Sequence, residues 1–264
     1  KQWRIDRRKM LELNANISCI DIGNTICHLG NFKDGELISE HYIKTKEFIT
    51  YPINLIKHTS PDQNVISYCS VVPQATKSLI KHAKDYDFNL YNLNNNSAGN
   101  FPISYPNPEQ IGQDRIANSI AVFYTKDLPC IVIDVGTATT FDIITKPGGY
   151  EGGVITPGPQ GFLDFLHQNT SLLPKVMISS RLPTNSIGRE TQEAMLIGVA
   201  KGYPSMVEGI LNSITSEIDK NYQKRPNIVI TGGGRKNMMM KNIVDCPELT
   251  IQGLAIAFQL NYIL

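Results

Sequence analysis

Paired cysteines, long apolar runs and an excess of charge of either sign are all missing from this chain of 264 residues. Its five cysteines, Cys19, Cys27, Cys69, Cys130 and Cys246, lie far apart and include no Cys-x-x-Cys spacing. Disulfide scaffolds and zinc sites need closely spaced pairs, so neither is expected, and the thiols read as reduced ones in a cytoplasmic protein. No apolar stretch approaches the ~20 residues that cross a bilayer. Lysine and arginine total 25 against 24 aspartates and glutamates, a net charge of +1. So balanced a chain has no global field for nucleic acid or an anionic membrane, and neither is an expected partner. Two nucleotide signatures are absent too. No Gly-x-Gly-x-x-Gly follows a first strand, which disfavours hydride-transfer folds, and no Gly-x-x-x-x-Gly-Lys-Ser/Thr occurs, which excludes a P-loop.

What is present is globular. Apolar residues make up 41% and charged residues 19%, too apolar for a disordered chain and long enough for two lobes. Lys1 to Met10 is basic but lacks the apolar middle of a signal peptide. Residues 1–16 therefore read as a loose extension, with a start at Met10.

The most informative pattern is an internal echo. Ile17 to Gly30 (I-S-C-I-D-I-G-N-T-I-C-H-L-G) and Ile131 to Ile144 (I-V-I-D-V-G-T-A-T-T-F-D-I-I) share one design. Each has a β-branched run, an Asp, a Gly with a hydroxyl-bearing turn, and a second apolar run, which is two strands joined tightly. Asp21 and Asp134 lie almost half the chain apart, so a duplicated lobe is the economical reading. Between the echoes, Asn64–Val72 reads as a buried strand ending at Pro73, Gln74–Lys84 as a helix, and Asp85–Phe101 as a polar surface connection. Gln113–Lys126 carries Ile116, Ile120 and Phe123 at helical spacing, and Leu128-Pro129 marks the boundary between lobes at 17–128 and 129–264. Beyond it, Gly188–Ile214 suits one or two helices bent near Gly202, Asn227–Thr231 a strand, Leu249–Ile251 another strand, and Gly253–Leu260 a helix.

Both Asp-x-Gly turns are built for phosphate. Backbone N–H groups in a tight turn bind an anion without importing full charge, hydroxyls support them, and glycine allows close approach. A carboxylate beside such a turn is useful when a cation sits between it and the phosphate. An ordinary hairpin turn has the same composition, and it is the duplication that favours phosphate. Thr231-Gly232-Gly233-Gly234 after a strand would let a base or ribose lie on the backbone, or is simply a flexible loop. Two strand–Asp–Gly–Thr turns with a later glycine turn resemble the sugar kinase, actin and Hsp70 superfamily.

Tyr105-Pro106-Asn107-Pro108-Glu109-Gln110-Ile111-Gly112-Gln113-Asp114-Arg115 is the second informative stretch. It turns at two prolines and a glycine, then delivers Asp-Arg at an expected helix N-terminus. The macrodipole and the guanidinium there should keep the carboxylate ionised. Such a carboxylate can orient a hydroxyl and accept its proton during phosphoryl transfer, while Arg115 offers planar donors to a substrate carboxylate. An N-capping Asp beside a surface Arg is the plainer alternative.

Together Asp21–Thr25, Gly112–Arg115 with Ala117-Asn118, Asp134–Ala138, Gly152–Gly158 and Gly188–Met195 are similar to the type III pantothenate kinases, in order and across nearly the whole chain. The resemblance implies an α/β chain of two related RNase H-like lobes, an actin-like ATPase fold of mixed sheets flanked by helices, with the active site in the cleft between them. It implies transfer of the ATP γ-phosphoryl to pantothenate, the first step of coenzyme A synthesis. On the matching positions it makes Asp114 the base. It gives the ATP phosphates to Asp21, Ile22, Gly23, Asn24, Thr25, Ile26, Cys27 and His28, with Thr137 also facing ATP. Pantothenate would meet Tyr105, Gly112, Gln113, Asp114, Arg115 and Thr191. Asp134 would bind a monovalent cation, K⁺ or NH₄⁺, and Mg²⁺ would arrive with ATP near Asp21. Gln113 stands where a small or apolar residue is more usual. His28, as a strand histidine, is also read as structural. The resemblance further implies a homodimer, and the apolar helices Gln113–Lys126 and Gly188–Ile214 agree with one. Another kinase or phosphatase of the superfamily, or a transcriptional accessory factor, are the rival readings; the joint presence of Asp114, Thr137 and Thr191 argues against mere binding.

Overall fold

The strands at 17–22, 65–70 and 130–135 are buried along nearly their whole length, whereas 36–44 alternates, which marks the first three as covered on both faces. The computed structural model describes residues 16–60, 64–178, 182–238 and 242–262. Residues 1–15 of the extension lie outside them. In chain order come β1 (Ile17–Ile22), β2 (Ile26–Lys33), β3 (Glu36–Lys44), α1 (Thr45–Thr50), α2 (Ile53–Ile56), β4 (Val65–Ser70), α3 (Pro73–Asp85), β5 (Asn89–Asn92) and α4 (Gln113–Thr125). Then follow β6 (Cys130–Val135), β7 (Ala138–Thr145), β8 (Gly149–Pro157), α5 (Pro159–Asn169), α6 (Thr191–Ile197), α7 (Tyr203–Tyr222), β9 (Asn227–Thr231), β10 (Val244–Asp245) and α8 (Leu249–Tyr262). Among the described residues no helix is long and apolar enough to cross a membrane.

Two compact units emerge. The first holds the described residues of 1–128, 144–152 and 248–264, and the second those of 129–143 and 153–247. The last helix thus groups with the first unit, although chain order alone places it in the second lobe.

In the first unit the sheet runs β3-β2-β1-β4-β5. β1 is antiparallel to β2 and parallel to β4, so the sheet is mixed. Successive side chains of a strand point to opposite faces. Ile17 and Cys19 join one core with α4 and α8, whereas Ile20 and Ile22 join the other with Phe48, Leu55 and Leu79 of α1–α3. Asp21 continues the first of these faces, and so does Cys69, its register partner on β4. Ser67 on the same face donates its hydroxyl to Leu254 O at 3.2 Å.

The second sheet runs β10-β9-β6-β7-β8. Read from its other end, β8-β7-β6-β9-β10, it repeats the first order strand for strand: a hairpin whose first strand sits centrally, then two parallel additions. The duplication seen in the sequence is therefore topological. Ile131, Ile133 and Val135 of β6 pack with Leu163, Val199, Tyr203 and Val207 from α5, α7 and the π-helical turn Gly198–Gly202. That turn is the expected bend.

Two sequence readings need correction. Leu249–Leu260 is one helix, not a strand followed by a helix. Its Gly253 is no break, because an added Cβ there would sit 1.9 Å from Ala117 O. The glycine is what lets α8 approach α4, where Thr250 Oγ1 also donates to Asn118 Oδ1 at 2.9 Å. Leu249, Ile251, Leu254, Ile256 and Ala257 are all buried, so α8 is apolar on every side and shows no helical period. Asp85–Phe101 is likewise no mere surface connection. It contains β5, and Tyr91, Leu93, Ala98 and Phe101 are buried.

Candidate active site

The first Asp-x-Gly turn is held from both ends. Asp21 stands opposite His28 and Ile22 opposite Cys27 in the β1–β2 hairpin. Gly23 N–H closes the turn on Ile26 O at 3.1 Å. Thr45, at the start of α1, fastens it: the hydroxyl donates to Gly23 O at 2.6 Å and the N–H to Thr25 O at 3.0 Å. Asn24, Thr25 and Ile26 are exposed at the tip, whereas Ile22 and Cys27 are buried and can offer a ligand only backbone. The Cys27 thiol, pushed up to about 12 mainly by burial, is directed at Thr45 Oγ1. His28 is buried, with Nε2 2.8 Å from Glu40 Oε1 and its ring stacked 4.1 Å from Tyr42. Burial lowers its pKa despite the carboxylate. The ring is committed to β3.

The Gly112–Arg115 segment opens a helix, as its spacing predicts. α4 begins at Gln113, with Gly112 as its N-cap and no capping side chain. Asp114 is therefore the second helical residue rather than an N-cap. It is half-buried, and its Oδ1 accepts the Arg115 N–H at 2.8 Å. A Cβ on Gly112 would come within 2.5 Å of that oxygen, so the glycine leaves the carboxylate its seat. Burial raises the Asp114 pKa, and the Arg115 N–H and guanidinium pull it down less strongly. The dipole and guanidinium expected to hold it ionised are thus outweighed, and the result is a more basic carboxylate. The Arg115 guanidinium lies over the Tyr150 ring at 5.7 Å, and Tyr105 meets Tyr150 edge-on at 5.8 Å. Both Asp21 and Asp114 act electrostatically on Cys69, whose Sγ–H donates to Asp21 Oδ1 at 3.3 Å.

In the second unit the echoed turn is clasped by two glycine segments. Gly136 N–H reaches Ala138 O at 2.9 Å, leaving Gly136, Thr137 and Ala138 exposed. Gly158 N–H, at the head of α5, donates to Thr137 O at 2.9 Å, and Gly234 N–H donates to Val135 O at 2.8 Å. Gly232 has φ +86°, and a Cβ there would fall 2.4 Å from Asp134 Oδ1. Glycine is needed for both reasons. The Thr231–Gly234 turn is therefore an ordered backing for Asp134, and Arg235 pairs with Asp245 at 2.7 Å. Thr139 and Tyr203 share a buried hydrogen bond, and Tyr203 also feels Asp134. Tyr203 lines an apolar cavity of about 600 Å³ together with Thr191, Phe162, Leu166, Ala194 and Gly198. Thr191 is exposed at the first position of α6.

Each unit thus gathers its own predicted residues: Asp21, the 23–25 turn, Tyr105 and Gly112–Arg115 in the first, Asp134, Thr137 and Thr191 in the second. Sequence reasoning missed Thr45, Cys69 and Tyr203. Cys69 was legible in principle, since a parallel register places it beside Asp21, but register is not written in one strand alone. Thr45 and Tyr203 carry no local signal.

A family model described as type III pantothenate kinase matches residues 17–213. A type III pantothenate kinase of Methylacidiphilum infernorum is 36% identical over 238 residues, covering 89% of this chain and 85% of that protein. One from Akkermansia muciniphila is 39% identical over 198 residues, covering 73% and 77%. Among solved structures, a putative Baf family transcriptional activator from Campylobacter jejuni aligns with TM-score 0.60 at 20% identity, covering 94% of this chain and all of that one. The ethanolamine utilization protein EutJ from Carboxydothermus hydrogenoformans aligns with TM-score 0.50 at 13% identity, covering 90% and 88%. At such identities these two speak for the fold alone, an α/β architecture with two mixed five-stranded sheets flanked by helices. The family match over most of the chain and the curated relatives, with the echoed turns and the Gly112–Arg115 segment, place this chain in the type III pantothenate kinase family, the ATP-dependent enzymes that phosphorylate pantothenate in coenzyme A synthesis.

Proposed function

We propose that Asp114 is the general base of this kinase. The observation that carries the reading is its carboxylate at the head of α4, made more basic by burial, on the helix that covers the sheet face of Asp21 and Cys69. The pantothenate hydroxyl oxygen attacks the γ-phosphorus of ATP, the bond to the β–γ bridging oxygen breaks, ADP leaves, and the hydroxyl proton passes to Asp114. Arg115 pairs with the pantothenate carboxylate, and Tyr105, Gly112 and Thr191 complete the contacts to that substrate. The backbone and hydroxyls of 21–28, with Thr137, hold the ATP phosphates; Ile22, Cys27 and His28 take part through backbone. Among the described residues no three His, Cys, Asp or Glu side chains gather as metal ligands. Mg²⁺ would come on ATP, with Asp21 reaching it through water. Asp134 suits a monovalent cation: its carboxylate faces the Cβ-free side of Gly232 beside a backbone carbonyl, the oxygen donors K⁺ prefers. The supplied cation neutralises phosphate charge. The five buried free thiols agree with a reducing cytoplasm.

A product assay with ATP, pantothenate and K⁺ should give phosphopantothenate and ADP in equal amounts. A folded, cation-supplied protein that makes neither overturns the reading.

We also propose a homodimer. α4 no longer supports it, because its apolar face is spent on α8. The apolar cavity on α6 and α7 does, as do exposed Phe165, Leu172 and Ile187 of the same unit. Dilution should lower molecular mass and specific activity together, read by analytical ultracentrifugation with activity at each concentration. A fully active monomer removes the dimer and leaves Asp114 untouched.

A further inference from the structure

The residue before the base has an occupation of its own. β5 leaves β4 early: the last ladder bond on that side runs from Leu93 N–H to Tyr68 O at 2.9 Å. Two residues on, Ser70 N–H points to the same side, as alternate residues of a strand do, with β5 already ended at Asn92. Gln113 Oε1 accepts that N–H at 2.8 Å, so a side chain from the head of α4 stands where the next residue of β5 would be. Ser70 is itself pinned. Its Oγ accepts Val72 N–H at 3.1 Å and the Thr76 hydroxyl at 2.8 Å, both at the start of α3. Its neighbour Cys69 donates to Asp21. One strand end therefore fixes the phosphate-side carboxylate through Cys69 and the head of α4 through Gln113.

We infer that Gln113 is a positioning residue rather than a pantothenate contact: by accepting the Ser70 N–H it sets where α4 begins and so where Asp114 stands relative to Asp21. The inference rests on Asp114 being the base. The helix has no capping side chain to do this work, and the amide reaches the strand from the first helical position.

The test compares Gln113→Leu and Gln113→Glu with the unaltered enzyme, by steady-state kinetics, pH profile and amide hydrogen exchange at Ser70. Leucine removes the acceptor. Ser70 exchange should quicken, and kcat should fall ~10–100-fold, the scale of a misplaced reacting group, with KM for pantothenate within about twofold. Glutamate keeps an acceptor. It should restore Ser70 protection and most of kcat, while its added negative charge moves the acid limb of the pH profile upward. A Gln113→Leu enzyme with raised pantothenate KM and unchanged kcat would make Gln113 a substrate contact and overturn the inference, as would unaltered kinetics or an unprotected Ser70 in the parent protein. Should the parent make no phosphopantothenate, the base reading falls with the assay, whereas the exchange data still judge the anchor. If the leucine variant does not fold, the glutamate variant decides: low kcat with Ser70 protected overturns the inference.

Discussion

An Asp114→Asn enzyme is expected to bind pantothenate nearly as well as its parent and to turn over about 10²–10⁴-fold more slowly. The amide has the shape of the carboxylate, and its oxygen can still accept the Arg115 N–H that now reaches Oδ1 at 2.8 Å. What it cannot do is take a proton. Stability should move the other way from activity. Burial holds the Asp114 pKa above its ordinary value, so folding favours the protonated acid. That contribution is complete below the unfolded pKa and is lost as pH rises through the folded one. Above the raised pKa the ionised group is therefore a liability, and there the asparagine variant should melt no lower than its parent. The same group predicts a parent kcat/KM that falls as pH drops through the raised pKa. Turnover, calorimetric pantothenate binding and melting curves across pH check all three. A variant within a few-fold of parental kcat would leave Asp114 a substrate-positioning group only.

Asp134→Ala should lose most of its response to K⁺ and NH₄⁺ and demand more ATP, by about tenfold or more in KM. A charge-assisted contact contributes ~1.5–3 kcal/mol, which is one to two decades in affinity. The carboxylate sits against Gly232, whose missing side chain leaves it room, so removing it takes away an anion without relieving any clash. Asp134→Asn keeps the volume and separates charge from packing: it should lose the cation response while keeping the melting temperature. Activity in potassium, ammonium and sodium buffers, at several ATP concentrations, reads the effect. An unchanged cation response would place the ion elsewhere.

The echo of Ile17–Gly30 in Ile131–Ile144 carried the doubled architecture, because strand, carboxylate and turn all sit within a dozen residues. The same locality made α4 and the Gly112–Arg115 segment legible. Legibility failed where a residue owes its conformation to something distant. Gly253 looks like a break until Ala117 O is brought beside it. β5 is four residues among asparagines, a strand only because β4 offers it an edge. The direction of the Asp114 shift depends on how tightly the chain closes around it, which no local pattern encodes. Thr45, Cys69 and Tyr203 belong here too, since their partners are fixed by register or by packing.

The place of α8 also sets a timetable. The first unit cannot finish when its own strands leave the ribosome, because the helix that covers Ile17, Cys19 and Ile116 follows almost the whole second unit in the chain. During synthesis that sheet face stays open while residues 129–247 are made and can fold by themselves. Closing it joins groups more than a hundred residues apart, such as Thr250 and Asn118, the kind of long-range contact that folds slowly. Nascent chains would thus carry a long-lived apolar face, and a helix translated after the second unit is the one that seals the platform on which Asp21 and Asp114 stand.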